Sequence, residues 1–147
     1  MQEEHFRPYM AVYCILRRGN DVLLAKRKNT GYSDGKWSMI SGHVDDGESA
    51  TDAMIREAKE EGGIAIRRED CRVVHVVHQR STSGRVYIAI YFSLVRWEGD
   101  VTNREPEKCA ALEWFPLNAL PDELLPDVRG ALELSAVGIC YSEFGWK

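Results

Sequence analysis

"GHVDDGESATDAMIREAKEEGGI", residues 42–64, carries more structural information than any other stretch of the chain. Its middle, "SATDAMIREAKEE" over residues 49–61, reads as a helix of about 13 residues. Ser49 with Asp52 three positions later gives an approximate capping box, and Gly62-Gly63 supplies the stop. Glu57, Glu60 and Glu61 follow at spacings of three and four, which places three carboxylates on one helical face. Like charges so close repel, and a helix that needs only solubility would interleave them with lysine. An isolated E-x-x-E-E would count as a solvated charged face. Here a glycine-bounded loop precedes the helix and a Gly-Gly pair closes it.

Outward from that helix the chain alternates strands and turns. "YMAVYCILRR" and "DVLLAKR" are rich in branched and aromatic residues and read as strands joined at Gly19-Asn20-Asp21. "NTGYSDGKW" is a loop, and "WSMIS" is a short strand that runs into Gly42. Beyond the helix, "CRVVHVVHQ" and "GRVYIAIYFSLVRW" read as strands around the turn-rich "RSTSG". In the second strand Val86, Ile88, Ile90, Phe92 and Leu94 share one face. Tyr87, Ala89, Tyr91 and Ser93 share the other, either lining a cleft or half exposed. "AALEWFP" is a further strand, and "VRGALELSAVG" an amphipathic helix. The order β, β, β, α, β, β, β, α predicts one α/β layered domain over residues 1–147 with a mixed sheet.

Composition narrows the function classes. The net charge of −4 and the absence of a basic block speak against an extended nucleic-acid partner. The start, "MQEEHFRPYM", lacks a secretory pattern, and no apolar run approaches the roughly 20 residues of a membrane span. Cys14, Cys71, Cys109 and Cys140 lie far apart without zinc-site spacing, which points to free thiols in a cytoplasmic protein. The two common nucleotide loops, G-x-G-x-x-G and G-x-x-x-x-G-K-[ST], are absent.

Residues 42–64 resemble the signature of the Nudix hydrolases, G-x5-E-x7-R-E-U-x-E-E-x-G-U with U aliphatic. Gly42, Glu48, Arg56, Glu57, Glu60, Glu61 and Gly63 match all seven fixed letters; Ile64 fits, and Ala58 is small for its position. At roughly 6 % usage per residue type, chance produces seven such matches in far fewer than one window in a million. The resemblance implies an α/β/α sandwich, MutT-like, and a hydrolase of a nucleoside diphosphate linked to a group X. It also implies that Glu57, Glu60 and Glu61, with the Gly42 carbonyl, hold Mg²⁺ or Mn²⁺, and that Glu48 and Arg56 support the site. Hard oxygen ligands suit those ions, whose charge offsets that of a diphosphate under attack by water.

Outside the signature, Glu105 is the first choice for a further acid supplied by a distant loop, with Glu107 as the alternative. Arg27 and Lys36 are candidate phosphate cations, and Tyr32 and Trp37 candidate stacking rings, although Trp37 reads equally well as a core anchor. His43 occupies a free signature position, while His75 and His78 read as satisfied sheet residues. Trp114 and Trp146 read as packing residues. The tail "YSEFGWK" covers the core or mediates an oligomer contact, a homodimer being one possibility.

One departure stands out: Ile40-Ser41-Gly42 replaces the Pro-Gly-Gly common before the signature. The family's markers for ADP-ribose, dinucleoside polyphosphate and NADH substrates are missing. A small nucleotide substrate is therefore expected, with a nucleoside triphosphate, ordinary or oxidised in its base, cleaved to monophosphate and pyrophosphate. ADP-ribose or a nucleotide sugar is the alternative. From other classes, a catalytically silent nucleotide-binding module and a capped-RNA hydrolase remain as rivals.

Overall fold

The computed structural model describes residues 4–147. The reading of "MQEEHFRPYM" rests partly on residues 1–3, which lie outside the described residues. The strands are β1 (Tyr9–Arg18), β2 (Asp21–Arg27), β3 (Trp37–Ser38), β4 (Ser41–His43), β5 (Arg72–Arg80), β6 (Val86–Leu94), β7 (Cys109–Pro116) and β8 (Tyr141–Phe144). The helices are α1 (Ala50–Gly62) and α2 (Pro126–Ala136), with a short 3₁₀ turn at Arg68–Asp70.

The sheet is mixed. Its path runs β3-β2-β1-β6-β5-β8, with β4 on β1 and β7 on β2. β1 lies parallel to β6, from Tyr9↔Tyr87 to Leu16↔Leu94, and meets β2 through a hairpin whose Gly19 adopts φ 61°. That positive angle is what a two-residue hairpin demands. β4 pairs antiparallel with β1, Val12 opposite Gly42, so the signature glycine is fixed against the central strand.

The alternation of β1 and β6 sorts their side chains to two cores. Val12, Cys14, Leu16, Phe92 and Leu94 pack with Ala53, Met54 and Ala58 of α1. Ile15, Val77, Ala89 and Tyr91 pack with Val128, Ala131 and Leu132 of α2 on the opposite face. The result is the α/β/α sandwich. Among the described residues, no helix is long and apolar enough to cross a membrane.

Helix α1 follows the sequence reading closely. Ser49 accepts a hydrogen bond from the Asp52 N–H at 3.1 Å, and the Asp52 carboxylate accepts from the Ser49 N–H at 3.3 Å. Gly63 then turns left-handed at φ 67° and donates to the Lys59 carbonyl, closing the helix.

Several expectations are corrected. "WSMIS" forms two strands, because β3 pairs with β2 whereas β4 pairs with β1, and Met39 and Ile40 cross between them as core residues. The tail contributes β8, parallel to β5 with Val76 opposite Tyr141. Ala89 and Tyr91 line no cleft, since α2 covers that face. Of that row, Tyr87 reaches a cavity. All four cysteines are free; Cys14 is buried, Cys71 and Cys109 are half-buried, and Cys140 is exposed.

Candidate active site

The buried face of α1 carries Ala53, Met54, Glu57, Ala58 and Gly62, so one acid is drawn into the protein with the apolar stripe. Glu57 is only 9 % exposed. Gly42 makes this possible: a Cβ there would lie 2.2 Å from the Glu57 Cδ. The close approach, and not an unusual φ, is what requires glycine at this position.

Arg56 organises the acids. Its Nε and Nη2 donate to the two carboxylate oxygens of Glu48 at 3.2 and 2.7 Å, a two-pronged pairing that fixes both groups. Nη1 donates to Glu57 Oε1 at 2.7 Å and to Glu60 Oε2 at 3.3 Å, and Nη2 also reaches the His43 carbonyl at 3.0 Å. Glu48 accepts in addition from the Asp45 N–H at 2.8 Å. The Arg56 hydrogen bond holds the Glu48 carboxyl below its ordinary range.

Glu61 lies outside that guanidinium network. Its Oε1 accepts from the Ser41 N–H at 2.9 Å. Burial, together with the charges of Glu57, Glu105 and Glu60, pushes its pKa up to about 8. Burial likewise raises Glu57, against the pull of Arg56.

Glu105 arrives from the loop before β7. The Thr102 N–H donates to the Gly62 carbonyl at 2.9 Å and the Arg104 N–H to the Glu61 carbonyl at 3.2 Å, docking this loop on the C-terminus of α1. Glu105 and Glu61 consequently line the same small cavity of about 110 Å³. Glu107 lines neither cavity described here, and its carbonyl accepts from Asn29.

A larger cavity of about 760 Å³ opens beside the first and shares Glu61, Ser41, Arg27 and Lys108 with it. Arg27 donates to the Tyr32 carbonyl at 2.8 Å and to Thr30 Oγ1 at 3.0 Å, with its guanidinium 5.5 Å from the Tyr32 ring centre. Arg27 and Tyr32 therefore stand together on the wall.

Lys36 and Trp37 do not. Lys36 pairs with Glu123 and lines neither cavity. Trp37, 9 % exposed, packs edge-on against Phe115 at 4.9 Å in the α2-side core, and so presents no free ring face. The pairing of β3 with β2 holds Trp37 as a core anchor, the other of its two readings, and Glu123 engages Lys36.

His43, His75, His78, Trp114 and Trp146 have packing partners. The ring nitrogens of buried His75 bond the Ile139 carbonyl and the Ser142 hydroxyl, each at 2.8 Å. Trp146 donates to the His78 carbonyl at 2.8 Å and lies against its ring. Trp114 stacks on Trp97 beneath Arg18. His43 stacks on Tyr87 at the rim of the larger cavity. Lys108, Gln79, Arg85 and Asp127 line that cavity too and were missed in the sequence, although Lys108 sits in the same loop as Glu105.

The donor chemistry fits a hard divalent cation. Carboxylates crowd together in a partly buried site, and among the described residues Glu61 has no cationic partner, so its charged form is disfavoured in a way that such an ion would relieve. Among the described residues, no three His, Cys, Asp or Glu side chains already meet as a finished cage. Arg56 holds Glu57 and Glu60 instead.

An α/β/α sandwich carrying this acid cluster beside an open cavity defines a class of hydrolytic enzyme acting on phosphoanhydrides. A family model of the NUDIX domain matches residues 7–135, and the chain belongs to the Nudix family. Nudix hydrolases generally use divalent metal cations and act on small nucleotide substrates. The chain is 34 % identical over 117 residues to an ADP-ribose pyrophosphatase of Methanocaldococcus jannaschii, a match covering 80 % of this chain and 67 % of that protein. It is 32 % identical over 118 residues to a CTP pyrophosphohydrolase of Escherichia coli, covering 78 % and 82 % respectively. A crystal structure of a MutT NUDIX hydrolase from Burkholderia pseudomallei superposes with a TM-score of 0.79 at 32 % identity. That alignment covers 87 % of this chain and 98 % of the other.

Proposed function

We propose that residues 1–147 form one Nudix domain that hydrolyses a nucleoside triphosphate to the monophosphate and pyrophosphate. The observation that carries the reading is the continuity of the carboxylate cluster with the 760 Å³ cavity through Glu61, Ser41 and Gly42. A cavity of that size suits a small-molecule ligand. The Burkholderia MutT neighbour and the CTP pyrophosphohydrolase relative support a triphosphate.

Glu57, Glu60, Glu61 and the Gly42 carbonyl would hold Mg²⁺ or Mn²⁺, the ions that an all-oxygen donor set favours. Bound there, such an ion supplies neutralisation of the phosphate charge and a more acidic water. Arg56 fixes Glu57 and Glu60 in place through Glu48. Glu105, beside Glu61, accepts the proton of the attacking water. Arg27 and Lys108 bind phosphate oxygens, with Tyr32 as the neighbouring ring. Lys36 and Trp37 have no part in it.

A Mg²⁺-dependent hydrolysis screen that detects phosphate and pyrophosphate separately tests the reading. Pyrophosphate release from a triphosphate supports it. Turnover confined to ADP-ribose or a nucleotide sugar favours the second reading, which the 34 % identity to an ADP-ribose pyrophosphatase motivates. No turnover with any of these makes the chain a silent nucleotide-binding module.

A further inference from the structure

Glu105 reaches the acid cluster from an irregular loop, and such a loop places a side chain loosely unless its backbone is tied. A residue that takes no part in the hydrolysis ties this one. Asn103 Oδ1 accepts a hydrogen bond from the Glu105 N–H at 3.1 Å, a turn in which the side chain stands in for backbone. The other end of the same amide, Nδ2, donates to the Cys109 carbonyl at 2.8 Å. One planar group thus closes the loop from Asn103 to the start of β7.

The Glu105 carbonyl is held as well, since the Lys108 and Cys109 N–H groups both donate to it at 2.9 Å. Pro106 follows, and its ring keeps the Glu105 backbone out of the helical region. Both main-chain polar groups of Glu105 are therefore engaged within the loop. Cys109 pairs in turn with Arg27 of β2, so the Asn103 bridge references Glu105 to the strand that supplies a cavity wall. Asn103 itself lines neither cavity and has no direct route to a substrate. The amide chemistry is specific: Asn offers an acceptor and a donor on one short stem, Asp lacks the donor, and Leu lacks both.

We propose that Asn103 is a positioning residue that sets where the Glu105 carboxylate stands beside Glu61, and so governs the rate of the chemical step without touching the substrate. This rests on the reading of Glu105 as the acceptor of the water proton.

Asn103→Ala, Glu105→Gln and the double variant are compared with the wild type in Mg²⁺-dependent triphosphate hydrolysis, with folding checked by thermal melting. A proton acceptor displaced by about 1 Å loses about 100-fold in rate, so Asn103→Ala is expected to lower kcat by that factor and to leave KM within about 3-fold. The double variant is expected to be no slower than Glu105→Gln alone, because a residue that acts only by placing a carboxylate has nothing to place once that carboxylate is gone. Amide hydrogen exchange at residue 105 reads the placement without turnover, and is expected to quicken by about 2- to 10-fold in Asn103→Ala. Asn103→Leu, close to asparagine in volume, repeats the comparison if alanine unfolds the chain.

Losses that multiply in the double variant would overturn the proposal, as would a wild-type kcat in Asn103→Ala beside an impaired Glu105→Gln. Normal turnover in Glu105→Gln with quickened exchange in Asn103→Ala would instead remove the proton-acceptor reading and leave the placement of Glu105 standing. Unchanged exchange at residue 105 overturns the placement itself.

Discussion

Gly42→Ala tests the packing on which the carboxylate cluster depends. The φ of Gly42 lies outside the left-handed region, so alanine brings no backbone strain and the substitution isolates a single contact. The added Cβ would stand 2.2 Å from Cδ and Oε1 of Glu57, whereas non-bonded carbons settle at about 3.5–4.0 Å. Glu57 must therefore retreat by more than about 1 Å. It has little freedom to do so, because its Oε1 is tied to Arg56 at 2.7 Å and Arg56 is in turn gripped by Glu48. Overpacking of this kind costs about 1–3 kcal/mol, a fall in Tm of roughly 3–10 °C for a chain of this size. A catalytic group displaced by 1 Å loses about 100-fold in rate, so Mg²⁺-dependent kcat is expected to fall by about that factor. Thermal melting by circular dichroism and steady-state kinetics read the two effects. Gly62→Ala is the control. Its Cβ would meet the terminal Cδ1 of Ile40 at 2.7 Å, a flexible methyl that can swing aside, and alanine favours the helix end. That variant should keep its Tm and its turnover to within a few-fold. Full activity in Gly42→Ala would refute the view that glycine there positions Glu57.

Glu61→Gln keeps shape and removes a ligand charge, so folding should survive and Mg²⁺-dependent turnover should drop by orders of magnitude; unchanged turnover sinks the ligand assignment. Stability without metal should fall as pH rises. The folded Glu61 pKa of about 8 stands above its ordinary value of 4.5, so the folded state holds the extra proton between those pH values. Stability is then full below about pH 4.5, declines towards pH 8 by a few kcal/mol at most, and levels off above, with Glu57 acting in the same direction. Urea denaturation in EDTA from pH 5 to 8 measures this; the decline should disappear in Glu61→Gln, and a wild-type profile no steeper than that variant's would contradict a neutral buried carboxyl. Gly130→Ala, inside α2 with nothing within 4 Å of the new Cβ, should raise stability by about 0.5–1 kcal/mol and leave kcat alone. A lowered Tm would mean that α2 is not the unstrained helix described.

The parts of the fold that were legible in the sequence are those with local causes. α1 announces itself through Ser49, Asp52 and Gly63, and each makes the predicted cap. β1 and β6 announce themselves by alternation, and their two faces feed the two cores. What failed depends on partners distant in the chain. β8 spans four residues without a strong pattern and exists because β5, more than sixty positions earlier, offers it an edge. The break within "WSMIS" comes from β2 and β1 each claiming one end. The hydroxyl-bearing row of β6 reads as a cleft wall or a half-exposed face because nothing in the strand itself tells that α2 will cover it.

The candidate site divides along the same line. Glu57, Glu60, Glu61 and Arg56 share one helix, so spacing alone places them, and Arg56 reaches Glu48 across a short loop. Chemistry held within 23 consecutive residues is chemistry that a sequence can display. The cavity beyond them is assembled from β1, β5, β6, the loop after β2, the loop before β7 and the start of α2. Gln79 and Asp127 reach one cavity only because a strand end and a helix start are brought together. Lys36 stands next to the signature in sequence but pairs with Glu123, and of the two readings open for Trp37 the core anchor is the one the packing realises. Reaction class is thus legible in local spacing, whereas the cavity is built by long-range packing. Substitutions on the α1 face should change whether the enzyme turns over, while those at the far end of the cavity should change which nucleotide it accepts.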